Sequence, residues 1–398
     1  MSVPASVSIT EPVRAAERAP HVCIVGMNNL RVLAPEYNKG FVGGAELQQV
    51  LLARALSARG FKVSMVTADY GQPDGAVWDG IVTYKTYQMD EGIPVLRFFH
   101  PRLTRTWAAM RRANADIYYS CCADAVVFMV AAFARRHHRR AVFWVASDAD
   151  CDPQRTFFRL RGKKGQRLRL ARLNYLYRTG LRDTHLVLAQ TTAQQEMLMQ
   201  NYGKRSLVVP SLVDVDPQRR PLEQRDIPVL WAATMRTLKR PELAIELAER
   251  LPHLHFALAG GPAPEDAANL ERVRERAAGV ANVDLLGFVP LTRINGYFAR
   301  AQVLINTSAV EGFPNTYLQA WAEGVPVITF NDPDDLIRRN GLGVTVGSLE
   351  EMQRAIETLT RDPIQWRETS ERCRRYFDRN FGPEQTVGVM ARALQECL

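Results

Sequence analysis

Short runs of β-branched and other apolar residues alternate with helix-like segments along the chain, and this alternation restarts once near the middle. The predicted strands lie near residues 21–27, 61–67, 93–99, 116–119, 141–146, 184–190 and 206–210, and then near 228–234, 254–260, 283–289, 302–306, 326–330 and 343–346. Strands that alternate with helices form parallel sheets with helical crossovers. The pattern therefore predicts an α/β protein with two doubly wound domains.

A polar stretch, residues 210–225, separates the two halves and is the best candidate for a linker. The predicted helices are Ala45–Arg59, which Gly60 ends, the apolar segment 123–134, and segments near 241–251, 264–278, 291–300, 315–323, 349–361 and 363–380. A chain of 398 residues is long enough for two such domains. The predicted organisation is a disordered leader at 1–20, an N-terminal domain at 21–212, a C-terminal domain at 213–380 and a terminal helix at 381–398.

The composition, 46% hydrophobic and 23% charged residues, is typical of a soluble globular protein. Residues 1–20 lack the apolar region of a signal peptide, and no apolar run reaches the roughly 18–20 residues of a membrane span. A cytoplasmic location is therefore expected. The six cysteines show no C-x-x-C spacing and the seven histidines form no cluster, which favours reduced thiols and predicts no metal site.

The net charge of +9 is concentrated in one region. Residues 101–182 contain eighteen Lys and Arg against five Asp, a local charge of +13, which leaves −4 for the rest of the chain. From Arg155 to Arg182 the cations are interleaved with aromatic and leucine residues, a pattern that predicts a surface for anionic lipid headgroups or for a pyrophosphate-bearing acceptor. A solvated helix face is the alternative. A nucleic-acid groove is a third reading, but no recognition motif supports it.

The segment from Glu311 to Ile328 carries the most specific motif of the chain. It joins a carboxylate to a Gly-Phe-Pro-Asn turn, a short amphipathic helix and a Gly-x-Pro entry into a β-branched strand. Backbone N–H groups at such a helix start face an anionic or hydroxyl-rich ligand. Taken alone, Glu311 is also compatible with an ordinary acidic helix cap.

This segment resembles the donor-sugar motif of the retaining family 4 glycosyltransferases of the GT-B fold. In that family a Glu opens an EGFP-type turn and a second Glu follows after seven residues; here the second position is Gln319, whose carbonyl can still accept a hydrogen bond from ribose. The resemblance implies two Rossmann-like domains that face each other across a cleft, and a terminal helix that crosses back onto the first domain. It implies a UDP- or GDP-linked sugar as co-substrate, with no cofactor or metal required. It assigns Glu311 a catalytic role at the donor sugar. The donor-binding residues in this segment are then Gly312, Phe313, Pro314, Asn315 and Gln319.

A cationic loop in the second half follows a predicted strand and enters a helix through Pro241. Its Arg236 and Lys239 are suited to neutralise a leaving diphosphate. Lys239 resembles the family's phosphate-binding Lys, and Arg236 is assigned as its partner because the usual Arg position holds Thr234. Surface charges near a helix start are the alternative. Gly260, Phe288 and Val289 follow in the order in which the family places donor-binding turns.

Two further candidate elements lie in the first half. Gly43 and Gly44 precede a helix, where glycines let the backbone approach a ligand, and they resemble the family's glycine-rich loop; a plain turn is the alternative. Where family members often carry a His at a strand end, this chain has Ser147, followed by Asp148 and Asp150. These two carboxylates are predicted to contact the acceptor or the donor in a catalytic role, or to cap a loop.

The resemblance implies a retaining glycosyltransferase that moves a hexosyl group from a nucleotide-sugar to a saccharide acceptor. The basic region 101–182 favours a lipid-linked acceptor and a peripheral position on the inner face of the cytoplasmic membrane, as in bacterial exopolysaccharide or lipopolysaccharide assembly. Two alternatives remain open. One is a nucleotide-sugar epimerase or hydrolase of the same fold, and the other is a non-catalytic module that binds sugar nucleotides or polyanions.

Overall fold

The computed structural model describes residues 19–38, 43–93, 96–154, 167–262 and 266–398. Most of the predicted leader at 1–20 lies outside these ranges. So do residues 155–166, which belong to the basic region 101–182. Most of the predicted disordered leader and the part of the predicted lipid- or acceptor-binding surface at 155–166 therefore lie outside the described residues.

The first domain is built on an eight-stranded sheet. Its strands are β1 (His21–Val25), β2 (Lys62–Thr67), β3 (Val77–Trp78), β4 (Ile81–Lys85), β5 (Ile117–Cys121), β6 (Arg140–Trp144), β7 (Leu186–Ala189) and β8 (Leu207–Val208). They are ordered β3-β4-β2-β1-β5-β6-β7-β8, and all neighbours are parallel except β3 and β4. The central strands β1 and β5 are buried along their whole length, as expected for a parallel sheet covered on both faces.

Helices cover both faces of this sheet. They are α1 (Leu30–Leu33), α2 (Gly44–Ala58), α3 (Thr104–Ala113), α4 (Ala125–Arg136), α5 (Asp148–Cys151), α6 (Arg167–Asp183) and α7 (Thr192–Tyr202). Asp124 caps α4 by accepting a hydrogen bond from the Val126 N–H, and Thr191 caps α7 in the same way through the Gln194 N–H. Helices α4 and α6 pack closely because Gly180 has no side chain: a Cβ there would lie 2.6 Å from the Phe128 nitrogen.

The second domain repeats the architecture with six parallel strands. These are β9 (Ile227–Ala232), β10 (Phe256–Ala259), β11 (Val283–Gly287), β12 (Ala301–Asn306), β13 (Val327–Thr329) and β14 (Gly343–Thr345). The strand order is β11-β10-β9-β12-β13-β14, which is that of a Rossmann sheet. In such a sheet the order in which strands are added reverses its direction, here between β9 and β12. Ligands of such sheets bind beyond the carboxyl ends of the strands at that reversal. The predicted fold class, two Rossmann-like α/β domains, is confirmed.

The helices of the second half are α8 (Pro241–Arg250), α9 (Ala267–Ala277), α10 (Leu291–Arg300), α11 (Asn315–Glu323), α12 (Leu336–Asn340), α13 (Leu349–Arg361), α14 (Pro363–Asn380) and α15 (Val389–Glu396). The last of these belongs to the other core: Met390 and Leu394 of α15 are buried among first-domain residues such as Leu52. Between the domains, Leu212 is buried in the first core, whereas Val213 packs against the second. The chain therefore crosses between the domains twice.

One predicted strand is wrong. Within 93–99 the described residues form turns, and Phe98 begins a π-helical segment that ends at Leu103. The sheet position beside β2 is taken instead by β4, which the sequence analysis missed together with β3. The apolar side chains that suggested a strand face solvent, since Ile93, Leu96 and Phe99 are 65%, 55% and 53% exposed.

Candidate active site

A cavity of about 990 Å³ lies between the carboxyl ends of the two sheets and is lined by both domains. Every site residue that the sequence analysis named lines this cavity. In the first domain these are Gly43, Gly44, Asp148 and Asp150; in the second they are Arg236, Lys239, Gly260, Phe288, Val289, Glu311, Gly312, Phe313, Pro314, Asn315 and Gln319. The fold thus brings residues that are up to 276 positions apart in the sequence into one site.

The centre of the second-domain wall is an ion pair between Lys239 and Glu311. The Lys239 Nζ donates to both Glu311 carboxylate oxygens, at 2.6 and 2.7 Å. Lys239 lies just after β9 and Glu311 just after β12, the two strands between which the sheet reverses. Asn306 donates a further hydrogen bond to Glu311 at 3.3 Å. Because Glu311 bonds to Lys239 and α11 begins only at Asn315, the carboxylate is not a cap of that helix.

Both partners are largely enclosed: the side chains of Lys239 and Glu311 are 21% and 11% exposed. An ion pair in such surroundings interacts more strongly than one in water. A diphosphate that enters the cavity would compete with Glu311 for the Lys239 ammonium. The carboxylate would then be available for sugar hydroxyls.

The neighbouring donor-site candidates lie on turns that approach each other closely. Arg236 precedes the 3₁₀ turn that carries Lys239. Gly260 contacts the loop after β9 so tightly that a Cβ there would lie 2.1 Å from the Ala233 carbonyl oxygen. Phe288 and Val289 follow Gly287, which holds a positive φ of 65°. These turns form the side of the cavity next to β10 and β11.

The Gly-Phe-Pro-Asn turn divides its residues between core and cavity. The ring of Phe313 packs edge-on against Trp321 at 6.3 Å in the second-domain core, which anchors the turn. Asn315 reaches the first domain instead, where it accepts from Gln48 Nε2 at 3.0 Å and donates to the Gly44 carbonyl at 3.4 Å. The glycine-rich turn and the donor motif are therefore in direct contact.

Gln48 lines the cavity and is a residue that the sequence analysis missed. It is 3% exposed, and besides Asn315 it binds the interdomain crossover at Leu212, donating to the carbonyl at 2.6 Å and accepting from the N–H at 2.8 Å. One buried amide thus joins α2, the crossover and the donor motif. No local pattern signals this role, since the partners lie 164 and 267 residues away.

Gln319, at the position of the family's second Glu, has its amide nitrogen engaged. It donates to Asn295 Oδ1 at 3.0 Å, and Asn295 in turn donates to the Asp214 carbonyl in the crossover at 2.9 Å. This arrangement orients the Gln319 side chain at the edge of the cavity. Its carbonyl oxygen retains the capacity to accept a hydrogen bond from a ligand hydroxyl.

The first-domain wall opposite Glu311 is the turn after β6. Ser147 and Asp150 form a reciprocal capping box at the start of α5. The Asp150 carboxylate accepts three backbone N–H bonds, from Ala123, Ala146 and Ser147, at 2.8–3.1 Å. Burial raises the pKa of Asp150 above its usual value, while these three bonds lower it. These hydrogen bonds give Asp150 a structural role, because they stabilise the turn after β6.

Asp148 contacts a different element. It accepts a hydrogen bond at 3.0 Å from Gln194 in the first turn of α7. Gly312 of the second domain lies against Gln194 and Ser147, since a Cβ on Gly312 would be 3.1 Å from both Gln194 Nε2 and Ser147 Cα. The two walls are therefore in contact beside Glu311.

A second contact between the domains involves Asp334. This residue lies after β13 with a left-handed φ of 53°, a conformation that Asp tolerates better than most residues. Its carboxylate accepts from the Thr192 and Ala193 N–H groups at 2.7 and 3.0 Å. A second-domain side chain thus satisfies the free amides at the start of first-domain helix α7.

Two family models match this chain. Residues 42–217 match the model for Glycosyltransferase Family 4, and residues 228–362 match the model for Glycosyl transferases group 1. The two matches fall on the two domains described above and leave only the ends and the crossover unmatched. The chain belongs to the group 1 glycosyltransferase family.

Individual group 1 relatives are more distant. The lipopolysaccharide core biosynthesis glycosyltransferase LpsE of Rhizobium meliloti is 31% identical over 122 residues, which cover 30% of this chain and 35% of LpsE. An uncharacterized glycosyltransferase of Haemophilus influenzae is 23% identical over 147 residues, or 40% of its length. The chain therefore matches well under half of each curated relative.

Solved structures of other glycosyltransferases share the whole fold of this family member. Sucrose-phosphate synthase from Thermosynechococcus elongatus superposes with a TM-score of 0.73 at 16% identity, covering 95% of this chain and 98% of that one. Anabaena HepE in complex with UDP and glucose gives 0.69 at 16% identity, covering 95% and 100%. WaaG, a glycosyltransferase involved in lipopolysaccharide biosynthesis, gives 0.64 at 17% identity, covering 90% and 95%. At these identities the likeness establishes the GT-B fold alone.

Two features are absent from the described part of this group 1 glycosyltransferase. No set of three or more His, Cys, Asp or Glu side chains there is arranged to hold a metal ion. Among the same residues, no helix combines the length and the apolar character needed to cross a bilayer.

Proposed function

We propose that the protein is a retaining glycosyltransferase that moves a hexosyl group from a UDP- or GDP-linked donor to a lipid-linked saccharide in bacterial lipopolysaccharide or exopolysaccharide assembly. The observation that carries the proposal is the Lys239–Glu311 pair at the point where the second sheet reverses. In this pair a cation that can bind the diphosphate lies beside a carboxylate that can bind the sugar. The family motif implies the same two roles for these positions.

The proposed reaction exchanges one bond for another at the anomeric carbon. The acceptor oxygen bonds to that carbon on the face from which the diphosphate departs, the carbon–phosphate oxygen bond breaks, and the hydroxyl proton passes to the leaving diphosphate. Lys239 and Arg236 stabilise the negative charge that grows on the diphosphate, and Glu311 stabilises the positive charge on the sugar ring. Contact of the walls at Gly312 excludes water, which limits hydrolysis of the donor.

The donor assignment is tested by thermal denaturation with UDP, GDP, ADP and their sugar conjugates. A ligand that binds only the native state raises the melting temperature, so one nucleotide class should stabilise the protein. This shift should disappear in Lys239→Ala and persist in Lys62→Ala, which removes an exposed lysine at the start of β2. No shift with any nucleotide would contradict the donor site.

Turnover separates the proposed transfer from the two alternatives. A glycosyltransferase consumes the donor rapidly only when a saccharide acceptor is present. An epimerase or hydrolase converts the donor without acceptor, and a binding module shows nucleotide stabilisation with no turnover. Following both the released nucleotide and the sugar of the remaining donor, with and without crude lipid-linked saccharide, therefore distinguishes all three.

A peripheral membrane position is supported by an exposed group of apolar side chains, here named the apolar rim. It consists of Ile93, Leu96, Phe99 and Tyr175, which are 53–69% exposed. The guanidinium carbon of Arg172, one turn before Tyr175 on α6, lies 5.0 Å from the Phe99 ring centroid and so joins the two segments. Cations beside exposed aromatic side chains are typical of surfaces that bind anionic bilayers.

The apolar rim belongs to connections that start at the carboxyl edge of the first sheet. The segment 86–103 leaves the carboxyl end of β4, and α6 follows the turn that leaves β6. Anionic vesicles at low salt should therefore bind the protein, and the double substitution Phe99→Ser with Tyr175→Ser should reduce the bound fraction severalfold. Ile364→Ser, which removes a 68% exposed residue of α14 in the second half, is the control. No binding of the wild type to anionic vesicles would contradict the membrane proposal.

A further inference from the structure

Two arginine–tyrosine stacks lie side by side at the carboxyl edge of the first sheet. The guanidinium carbon of Arg31 lies 4.9 Å from the Tyr70 ring centroid, and that of Arg102 lies 5.9 Å from the Tyr87 ring centroid. Arg31, Tyr70 and Tyr87 belong to segments that leave β1, β2 and β4, which are neighbours in the sheet. A hydrogen bond of 2.9 Å from the Asp69 N–H to the Tyr87 carbonyl joins the two stacks. We call these four residues the Arg–Tyr row.

The two arginines of the Arg–Tyr row have no ion-pair partner among the residues that the structure describes. Within the described residues, neither guanidinium lies at ion-pair distance from a carboxylate, and the enclosed Nε atom of each has no hydrogen-bond acceptor. The nearby Arg105, by contrast, pairs with Glu91 at 2.7 Å. Buried polar groups are nearly always satisfied, so the enclosed Nε atom of each guanidinium calls for a partner from outside the protein, water or an anion. Both arginines are partly exposed, so an anion from solvent can reach them.

The Arg–Tyr row adjoins the glycine-rich turn of the cavity. The Tyr70 hydroxyl donates to Asn28 at 2.8 Å, and Asn28 donates to Glu46 at 3.3 Å. Glu46 lies in the first turn of α2 and folds back over Gly43, which lines the cavity. None of the four row residues lines the cavity itself, so a ligand in the cavity must extend past Glu46 to reach the row.

Charged groups at both ends of the row limit which anions it accepts. Burial raises the pKa of Tyr87, Arg102 lowers it, and the nearby Asp124 and Tyr70 raise it further. Burial likewise raises the pKa of Tyr70, while Arg31 lowers it and Glu46 raises it. The two carboxylates, Glu46 and Asp124, flank the row, so a compact anion aligned with the arginines is favoured over an extended polyanion.

We propose that the Arg–Tyr row binds an anionic substituent, a phosphate or a carboxylate, on the acceptor of the reaction. The inference rests on the proposed function, because it concerns the acceptor of that same cavity. Guanidinium groups bind both kinds of anion with paired N–H donors, and stacking on a tyrosine ring fixes the planar group in advance. The anionic substituent then orients the acceptor, and its hydroxyl points towards the cavity and Glu311.

The test measures binding of a phosphorylated and a neutral saccharide to the full-length protein. Glucose 6-phosphate and glucose are titrated calorimetrically into protein saturated with the nucleotide that stabilises it, so that phosphate cannot occupy the site at Lys239. Glucose 6-phosphate should bind at least about tenfold more tightly than glucose. Each of Arg31→Gln and Arg102→Gln should reduce that affinity about tenfold, and Arg31→Lys should retain part of it because the charge remains.

Arg178→Gln is the matched control. Arg178 is also an arginine stacked on a tyrosine, with its guanidinium carbon 5.6 Å from the Tyr202 ring centroid, but its helix α6 precedes β7, in the other half of the sheet from the row. Melting curves of all variants show whether each is folded. The row variants should still be stabilised by nucleotide, because the donor site is intact. If they are, a negative result with the saccharides concerns this proposal and not the donor site.

A second arm identifies the source of the anion. Phosphatidylcholine vesicles with and without phosphatidic acid are tested for binding to wild type, Arg31→Gln and Arg102→Gln. Binding of glucose 6-phosphate that depends on the row places the anion on the saccharide, whereas dependence seen only with phosphatidic acid places it at the lipid headgroup. Equal binding of phosphorylated and neutral probes in both arms, or full affinity in the double variant of Arg31 and Arg102, would overturn the proposal.

Discussion

At the scale of single residues, substitutions in the ion pair between Lys239 and Glu311 can separate an effect on the transition state from an effect on donor binding. Glu311→Gln preserves size and hydrogen-bonding capacity but removes the negative charge. If Glu311 acts mainly on the transition state, kcat should fall about 10²–10³-fold with little change in the donor KM. Steady-state kinetics with the identified donor provides the measurement.

The same experiment on Lys239→Ala supplies the contrast. Removing the lysine leaves the Glu311 carboxylate unpaired in an enclosed site, where it repels the diphosphate. Nucleotide affinity should therefore fall as well as kcat. Glu311→Gln should keep its nucleotide affinity. If it loses that affinity as fully as Lys239→Ala, the two residues do not have separate roles in transition-state stabilisation and nucleotide binding.

The two carboxylates after β6 should respond differently to truncation. Asp150→Ala leaves three backbone N–H groups without their acceptor and should lower the free energy of unfolding by about 2–4 kcal/mol. Asp148→Ala removes the hydrogen bond from the buried Gln194 amide to a partly exposed carboxylate, and should cost less, about 1 kcal/mol. Urea denaturation of both variants tests this order, and equal stability losses would count against it.

Motif residues could be predicted from the sequence, whereas the partners that hold them could not. The motif from Glu311 to Gln319 has local spacing that a reader of the sequence can detect. Gln48 and Asp334 act through side-chain contacts to the other domain, and their own neighbourhoods carry no distinguishing pattern. Such contacts depend on how the two sheets face each other, which local sequence does not encode.

At the scale of secondary structure, glycine substitutions can show how closely the turns that line the cavity must pack. Gly260→Ala would force a Cβ into the Ala233 carbonyl and separate the turns after β9 and β10, so both stability and nucleotide affinity should fall. Gly296→Ala is the matched control, since a Cβ in that part of α10 meets no atom within 4 Å. It should stabilise the protein by about 0.5–1 kcal/mol, because alanine favours helix more than glycine does.

Thermal and urea denaturation of the two glycine variants, each with and without nucleotide, provide the measurement. Normal nucleotide affinity in Gly260→Ala would show that the turns tolerate separation. It would also remove the reason for placing Gly260 in the donor site.

Elements with clear end signals could be predicted nearly to the residue. Helices α13 and α14 begin after Ser348 and Asp362, whose side chains cap them, and Gly324 ends α11 in the left-handed conformation. Residues 93–99 were mistaken for a strand because an exposed apolar surface and a buried strand share the same composition. Only the sheet itself, with β4 already beside β2, distinguishes them.

At the scale of the whole molecule, Asp334 is expected to favour the closed arrangement of the domains. Its two hydrogen bonds to α7 exist only while the domains are in contact. Asp334→Ala should shift the population towards open forms about tenfold, which raises the donor KM and the radius of gyration seen by X-ray scattering. The expected effect should shrink when saturating nucleotide bridges the cleft.

Asp335→Ala is the control for this effect. Asp335 has the same left-handed conformation, with φ of 55°, but pairs with Arg338 of its own domain. Backbone strain on substitution is therefore matched, and only the contact between domains differs. An unchanged scattering profile in Asp334→Ala would show that other contacts hold the closed form.

The cap that Asp334 places on α7 also turns two amides into reporters of domain motion. The Thr192 and Ala193 amides are shielded only by a carboxylate from the other domain, so each separation of the domains exposes their hydrogens to deuterium. The Gln195 amide, bonded to the Thr191 carbonyl within its own helix, keeps its partner throughout. Comparing exchange at these neighbouring amides would count opening events in the native protein, without a label or a substrate.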